Sequence, residues 1–258
     1  MASRVYRANA IVLRRINLAE TDKIVTLFTR EKGKLGAVAK GARRPASRLA
    51  GATELFGYVR VLLAVGQSLD VITQVEVRKS FPDIRRNLDK IAAASYMTEL
   101  ADIFTDERHP NPDLFDLLLS ALHVLNTQSD VALLATAFSL QTLSEAGYHP
   151  SFDVCARCGG ADTEFTGFSP TAGGAICRSC RMSVKDAFAA APESLDAARS
   201  LLTWELPQAA RLELTPRARV QALRMARAFL LLRAERPLKS ARFLDELLAA
   251  RKLAEGEE

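Results

Sequence analysis

The sequence lacks any apolar stretch long enough to cross a membrane. Four early arginines interrupt its first apolar run, which therefore cannot form the core of a secretory signal peptide: Arg4, Arg7, Arg14 and Arg15. No later uninterrupted apolar segment approaches the roughly 20 residues that a transmembrane helix needs. We therefore expect a cytoplasmic protein that makes no membrane contact.

Motifs for nucleotide hydrolysis and for nucleophilic catalysis are also missing. Neither Gly33-Lys34 nor Lys40-Gly41 belongs to a Gly-x-x-x-x-Gly-Lys-Ser/Thr phosphate loop, and no His-Glu-x-x-His pattern occurs. Two acidic pairs could bind magnesium in a nuclease, although such pairs are usually solvated surface carboxylates: Glu20/Asp22 and Asp245/Glu246. The sequence favours a protein that binds without catalysing a reaction.

Acidic residues are scarce where basic residues are densest. Between Glu20 and Leu49 the chain carries eight Lys or Arg and three acids, a surplus of five that equals the formal charge of the whole chain. Residues 1–80 have a net charge of +9 (15 basic, 6 acidic), whereas residues 81–258 have −4 (20 basic, 24 acidic). Because apolar runs and glycines separate the charges, this stretch is expected to fold. Such a basic surface predicts a polyanion ligand, with DNA or RNA as the first candidates.

The first 80 residues contain short runs of Val, Ile and Leu that glycines punctuate. Five strands are predicted: Asn9–Leu13, Lys23–Thr29, Leu35–Ala39, Leu55–Val65 and Leu69–Val77. Glu31–Lys34, which contains Gly33, has the composition of a hairpin turn. Five short strands suit a small closed barrel. The OB-fold is the commonest such barrel that binds nucleic acid, and an SH3-like barrel would give a similar pattern.

Beyond Phe81-Pro82 the hydrophobic period becomes helical. Helices are predicted over residues 88–104, 113–128, 130–146, 192–204, 215–234 and 239–253. Asp130 and Thr215-Pro216 are typical of helix N-termini. The predicted fold class is α+β and multidomain. It has an N-terminal OB-fold β-barrel at residues 1–80, an α-helical body at 81–149 and 184–258, and an inserted four-cysteine, zinc ribbon-like module at 150–183.

All four cysteines fall within that module, as two Cys-x-x-Cys pairs. Cys155/Cys158 and Cys177/Cys180 are separated by 18 residues, a spacing typical of two knuckles that share one tetrahedral ion. Because four thiolates leave no open coordination position, we predict one structural Zn²⁺ per chain. A redox role would need a βαβ setting, which is absent. Three neighbouring arginines would either screen the negative charge of this site or contact DNA: Arg157, Arg178 and Arg181.

These residues together resemble the RecO family of bacterial recombination mediators. The resemblance covers nearly the whole chain and is clearest at Glu20–Thr29 and Val38–Pro45, with support from Gly33-Lys34, the cysteine pairs and Pro237–Ser240. It implies binding to single- and double-stranded DNA and annealing of complementary strands. It also implies partnership with RecR and with the acidic C-terminal tail of the single-stranded-DNA-binding protein (SSB), and thereby help in loading the RecA filament. A nucleoid-associated location follows.

The predicted DNA site is a set of basic residues on the barrel. The main candidates are Lys34, Lys40, Arg43, Arg44 and Arg48, and the second choices are Arg14, Arg15, Lys23, Arg30 and Lys32. Aromatic side chains for base stacking are few, because Phe28 and Phe56 are expected in the barrel core, which leaves Tyr6 and Tyr58. Sparse stacking fits binding that does not depend on base sequence.

Three other functions stay open on the sequence alone: an RNA-binding factor with a barrel and a zinc ribbon, a metal-dependent nuclease, and a protein scaffold whose basic face serves solubility. The sequence also does not determine which helix supplies the docking surface for an SSB tail. The helix with Leu223, Arg227 and Phe229 is one candidate, although core packing explains its apolar pair better.

Overall fold

Buried and half-buried residues alternate strictly along the N-terminal strand Gly33–Ala39, as expected of a strand that turns one face to a core. The strands are β1 (Val5–Leu18), β2 (Asp22–Thr29), β3 (Gly33–Ala39), β4 (Tyr58–Ala64) and β5 (Asp70–Lys79). They close into a barrel in the order β1-β2-β3-β5-β4, in which only the β3–β5 pair is parallel. The OB-fold barrel predicted from the sequence is thus confirmed.

The β2–β3 hairpin turns at a position that only glycine can occupy. Gly33 has a φ of +69°, and a Cβ atom there would lie 2.1 Å from the carbonyl oxygen of His109. That close approach exists because the segment around Arg108 lies along the hairpin, where the N–H of Arg108 donates to the carbonyl oxygen of Lys34 at 2.8 Å. The turn therefore fastens helical structure to the barrel.

Four helices accompany the barrel: α1 (Arg48–Ala52), α2 (Pro82–Arg86), α3 (Leu88–Ile103) and α4 (Pro112–Thr127). Phe115 of α4 meets Phe28 of β2 edge to face, with ring centroids 5.6 Å apart. Phe28, expected in the barrel core, is instead buried against α4 and lies outside the cluster that fills the barrel. Barrel and helices form one compact unit, Met1–Thr127, and a second unit follows at Gln128–Glu258. This division falls inside the predicted helical body, and the three predicted domains stay a prediction.

The second unit combines helices with a small sheet. Its helices are α5 (Val131–Glu145), α6 (Arg178–Arg181), α7 (Pro192–Thr203), α8 (Leu206–Ala209), α9 (Pro216–Arg233) and α10 (Lys239–Glu255). Its strands are β6 (Phe165–Ser169), β7 (Gly174–Cys177) and β8 (Phe188–Ala189), in the order β7-β6-β8. Every residue of α5 from Val131 to Leu140 is buried, and α5 contacts α7, α8 and α9.

Two predicted helix starts are confirmed. The Asp130 carboxylate accepts from the N–H of Leu133 at 3.1 Å, and the Thr215 hydroxyl accepts from the N–H of Ala218 at 3.2 Å. The computed structural model describes residues 5–44, 47–127, 130–161, 164–234 and 236–255. Within those ranges no helix has the length and apolar character to cross a membrane.

Candidate nucleic-acid interface and metal centre

Four of the predicted DNA-binding residues share one exposed connection between β3 and β4. We call Lys40, Arg43, Arg44 and Arg48 the basic loop. All four are exposed, with Arg48 on the first turn of α1. In the described part of the chain, no carboxylate oxygen comes within ion-pair distance of any of them. Their charges are therefore available to a ligand.

Asp22 holds this loop in place. Its Oδ1 atom accepts hydrogen bonds from the N–H of Gly41 and from the hydroxyl of Thr21, both at 2.8 Å. Arg43 adds two more ties, because its N–H donates to the Thr21 carbonyl oxygen at 2.9 Å and its guanidinium to the Ala19 carbonyl oxygen at 2.6 Å. The loop is thus fastened to the turn that joins β1 to β2.

The environment of Asp22 keeps it negatively charged. The Gly41 N–H lowers the pKa of Asp22, and so do the Thr21 hydroxyl and, more weakly, the positive charges of Lys40 and Arg44. Gly41 itself has a φ of +69°, which suits a glycine. A carboxylate that accepts from a backbone N–H can order a basic loop without forming an ion pair with its basic side chains.

Lys34 differs from the basic loop, because its ammonium group points to Asp102 of α3. The Nζ atom lies 3.1 Å from Oδ1 of Asp102 and donates to the backbone oxygen of the same residue at 2.5 Å. Both side chains are nearly inaccessible, with 12% and 5% exposure. Arg14 reaches the other carboxylate oxygen at 3.4 Å. Lys34 therefore joins β3 to α3, and its contact with DNA stays a prediction.

Three further predicted residues also form ion pairs within the first unit. Arg15 and Lys23 share the carboxylate of Glu54, and Lys23 is largely covered. Two guanidinium nitrogens of Arg30 donate to the carboxylate of Asp116 in α4, and the shorter distance, to Oδ2, is 2.8 Å. Lys32 is exposed on the β2–β3 turn. The structure thus brings Lys40, Arg43, Arg44 and Arg48 together and binds most of the others to acids.

The four cysteines converge, as the sequence predicts. The first pair lies in a turn where the N–H of Gly159 donates to the Cys155 carbonyl oxygen at 2.8 Å. The N–H of Ala156 donates to Ala175 of β7 at the same distance and fastens this turn beside the second pair. Cys177 ends β7, and Cys180 lies one turn of α6 further on. The sulfur atoms all lie within 4.8 Å of one another.

These sulfurs fit a tetrahedral ion. Metal–sulfur bonds of about 2.3 Å give a tetrahedron with edges of about 3.8 Å, and the Sγ atoms of Cys158 and Cys177 are 3.9 Å apart. All four cysteines are free thiols. The Ser179 hydroxyl lowers the pKa of Cys177 to about 6, whereas hydrogen bonds to Cys177 and Cys158 raise that of Cys180 to about 12. The cluster can hold a metal ion, and thiolates with this spacing suit Zn²⁺.

Two of the arginines beside the cysteines have partners of their own. Arg178 pairs with Glu164 at 2.9 Å, and Arg181 donates to the Thr166 carbonyl oxygen at 3.3 Å. Arg157 is exposed. In the helix suggested for docking an SSB tail, Phe229 is buried against Phe168. Core packing therefore accounts for that phenylalanine.

The fold and site define a barrel protein with an exposed basic loop and a four-cysteine module. The N-terminal family model of recombination protein O matches residues 1–81, and its C-terminal model matches residues 85–242. A DNA repair protein RecO of Symbiobacterium thermophilum is 39% identical over 251 residues, or 96% of this chain and 99% of that protein. The corresponding protein of Pelotomaculum thermopropionicum is 39% identical over 247 residues, or 94% of each.

The chain therefore belongs to the RecO family of DNA repair proteins. The resemblance seen in the sequence is confirmed. The role of Asp22 was missed there, because an acid inside a basic stretch was counted only as lost charge. The Thr21-Asp22 pair at the end of a turn is a local signal that could have revealed it, since short polar side chains often accept from loop N–H groups.

Proposed function

We propose that the chain is a recombination mediator that binds single- and double-stranded DNA through the basic loop and anneals complementary strands. One observation carries the proposal: Lys40, Arg43, Arg44 and Arg48 are exposed, clear of carboxylate partners in the described ranges, and held on a fastened loop. Cations in this state can neutralise phosphates and release counterions without first breaking an internal ion pair. A protein that screens two backbones at once lowers the repulsion between strands.

The same proposal includes the partners implied by the family. RecR and the acidic tail of SSB would bind this chain, and the assembly would help to load RecA on SSB-coated DNA. The proposal places no catalytic step on the chain.

The decisive variant reverses three charges at once: Lys40→Glu, Arg43→Glu and Arg44→Glu. We expect single-strand affinity at physiological salt to fall by at least 100-fold, on the order of the loss when several phosphate contacts become repulsive. The slope of log affinity against log salt should also become shallower by about two to three, because each lost phosphate contact removes about one released counterion. Fluorescence anisotropy with a labelled oligonucleotide at several salt concentrations measures both.

A matched control separates location from overall charge. Arg7→Glu, Lys79→Glu and Arg86→Glu make the same charge change at exposed positions of the same unit. This control should keep most of the affinity and should still anneal SSB-coated complementary strands. Equal losses in both triple variants would mean that net charge, and not the basic loop, determines binding. Tighter binding to RNA than to single-stranded DNA would favour the RNA-binding alternative.

We also propose that the cysteine cluster holds one structural Zn²⁺. Bound zinc would supply cross-links that a short loop-rich segment cannot replace with a core of its own. Elemental analysis should find one zinc per chain, and Cys158→Ser should lower that ratio and the melting temperature. Zinc well below one per chain, with all four thiols reactive in the native protein, would refute this site.

A further inference from the structure

A pocket of about 520 Å³ lies in the second unit, where the turn after α5 and the first cysteine pair meet the end of α9. Tyr148, Val154 and Phe229 give it an apolar and aromatic wall, and His149 and Arg233 add polar groups. It opens to solvent, and all of its lining residues belong to the second unit, whereas the basic loop belongs to the first. Neither the basic loop nor the metal centre uses the side chains of Tyr148 and Arg233.

Arg233 is the unusual group in this pocket. Its guanidinium lies 3.4 Å above the centre of the Phe229 ring and 5.7 Å from that of Tyr148. It donates to two carbonyl oxygens, those of Pro170 and Phe229, both at 3.1 Å. Among the residues that the structure describes, no carboxylate forms an ion pair with it, and burial lowers the pKa of Arg233.

A half-buried cation without an anion is costly, because desolvation is not repaid by a partner charge. Carbonyl oxygens and ring faces compensate only in part. The pocket therefore has a place for one negative group beside Arg233. Only one negative group can be neutralised there, since Arg233 is the sole Lys or Arg in the described lining.

Tyr148 provides the second half of a binding site. Its side chain is 45% exposed, high for a large aromatic residue next to a pocket. Its backbone is fixed, because its N–H donates to the Leu143 carbonyl oxygen at 2.8 Å and Gly147 before it has a φ of +86°. An accessible ring on a fixed backbone is suited to stacking against a planar group.

We propose that this pocket binds one nucleotide of a single DNA strand, with the base stacked on Tyr148 and the phosphate at Arg233. The inference rests on the proposed function, because it assigns a second contact for the same ligand. A single cation matches one phosphate, whereas an acidic peptide tail with several carboxylates would need more. The open pocket also lets a strand enter and leave, and bases that are already paired and stacked inside a duplex are not free to stack on the ring.

Photocrosslinking tests the contact directly. The zinc-loaded full chain is mixed with an oligothymidylate in which single positions carry 5-iododeoxyuridine, irradiated and digested, and the crosslinked peptides are identified by mass spectrometry. We expect a crosslink at Tyr148. Crosslinks confined to the first unit would overturn the proposal.

Affinity measurements give an independent readout. Tyr148→Ala should weaken single-strand binding about tenfold, the size of one base–aromatic stack. Tyr148→Phe should keep the affinity, and duplex binding should be unchanged in both variants. Trp204→Ala is the matched control, because Trp204 is an aromatic residue of the same unit with 43% exposure. The melting temperature of each variant verifies folding.

The outcomes separate the two proposals. If the wild-type chain does not bind DNA, or the charge reversals in the basic loop change nothing, the proposed function fails. If those reversals act as expected while Tyr148→Ala binds single strands like the wild type, only the pocket assignment fails. A third arm uses a peptide of aspartates that ends in phenylalanine. If Tyr148→Ala weakens binding of this peptide and leaves DNA binding intact, the pocket is a peptide site and the nucleotide proposal is wrong.

Discussion

Two sets of basic residues from one stretch of sequence have opposite surroundings in the fold. Lys23 and Lys34, in strands, have side chains that are largely covered and paired with Glu54 and Asp102. Lys40 and Arg44, in the loop, are exposed. Charge counting along the chain treats the two sets alike, although only the second can bind a polyanion without first breaking an ion pair.

The difference follows from what lies over each strand. The paired acids come from later segments that pack on the barrel: Glu54 follows α1, and Asp102 lies near the end of α3. A strand cation beneath such a segment gains a partner and loses its water. Beside the loop between β3 and α1 lies Asp22, which accepts from a backbone N–H instead of pairing with a basic side chain. Density of basic residues therefore indicates a surface, and the covering elements decide which residues remain on it.

Replacing Lys34 should cause the larger stability effect. Lys34→Ala leaves Asp102 buried without its nearer cation, and we expect the free energy of unfolding to fall by about 3 kcal/mol. This is the lower end of the cost of breaking a buried pair, because Arg14 still reaches the carboxylate. Lys40→Ala, a matched change on the loop, should alter it by less than about 0.5 kcal/mol. Urea denaturation followed by circular dichroism measures both.

For DNA affinity, the order of the two effects should be reversed, with the larger effect at Lys40. At a temperature where both variants are folded, Lys40→Ala should weaken binding and Lys34→Ala should leave it nearly unchanged. A Lys34→Ala protein of normal stability that binds DNA poorly would reverse the comparison and make Lys34 a contact residue.

Local patterns predicted much of this fold. Short runs of Val, Ile and Leu between glycines located all five strands, and the composition at Asp130 and Thr215 located two helix starts, because these signals depend on neighbours within a few residues. The convergence of the four cysteines could be predicted for the same reason, since each cysteine pair forms its own turn. β1 was predicted too short. It continues through the charged pair Arg14-Arg15, where pairing with β2 maintains the strand despite the loss of apolar alternation.

Contacts between distant segments could not be predicted. The hydrogen bond from Lys34 to Asp102 joins residues 68 positions apart, and that from Arg15 to Glu54 spans 39. No propensity or spacing rule relates such residues. The same limit hid the pocket at Tyr148 and Arg233, because one residue follows α5 and the other ends α9. A site on one loop is visible in sequence, whereas a site built by packing is not.

Replacing Asp22 should have the smallest effect, and it tests whether charge or loop geometry controls DNA binding. The two predict opposite changes in DNA affinity. Removing an acid beside Lys40 and Arg44 raises the local positive charge, which by itself would tighten DNA binding. We expect Asp22→Ala to weaken it instead, by less than the triple charge reversal, because the loop loses the bond to Gly41 and must be ordered when DNA binds. Anisotropy at low salt gives the sign.

Hydrogen exchange shows whether the loop is the cause. In Asp22→Ala the Gly41 N–H should exchange faster, while that of Leu27 in the β2 ladder should keep its protection. Acid should have a similar effect on the wild type. Because the folded protein lowers the pKa of Asp22, its contribution is complete above the pKa of an unfolded aspartate and is lost as the pH falls through the lower folded value. Tighter DNA binding by Asp22→Ala, with unchanged exchange at Gly41, would mean that the loop keeps its conformation without this carboxylate and that charge alone governs the interface.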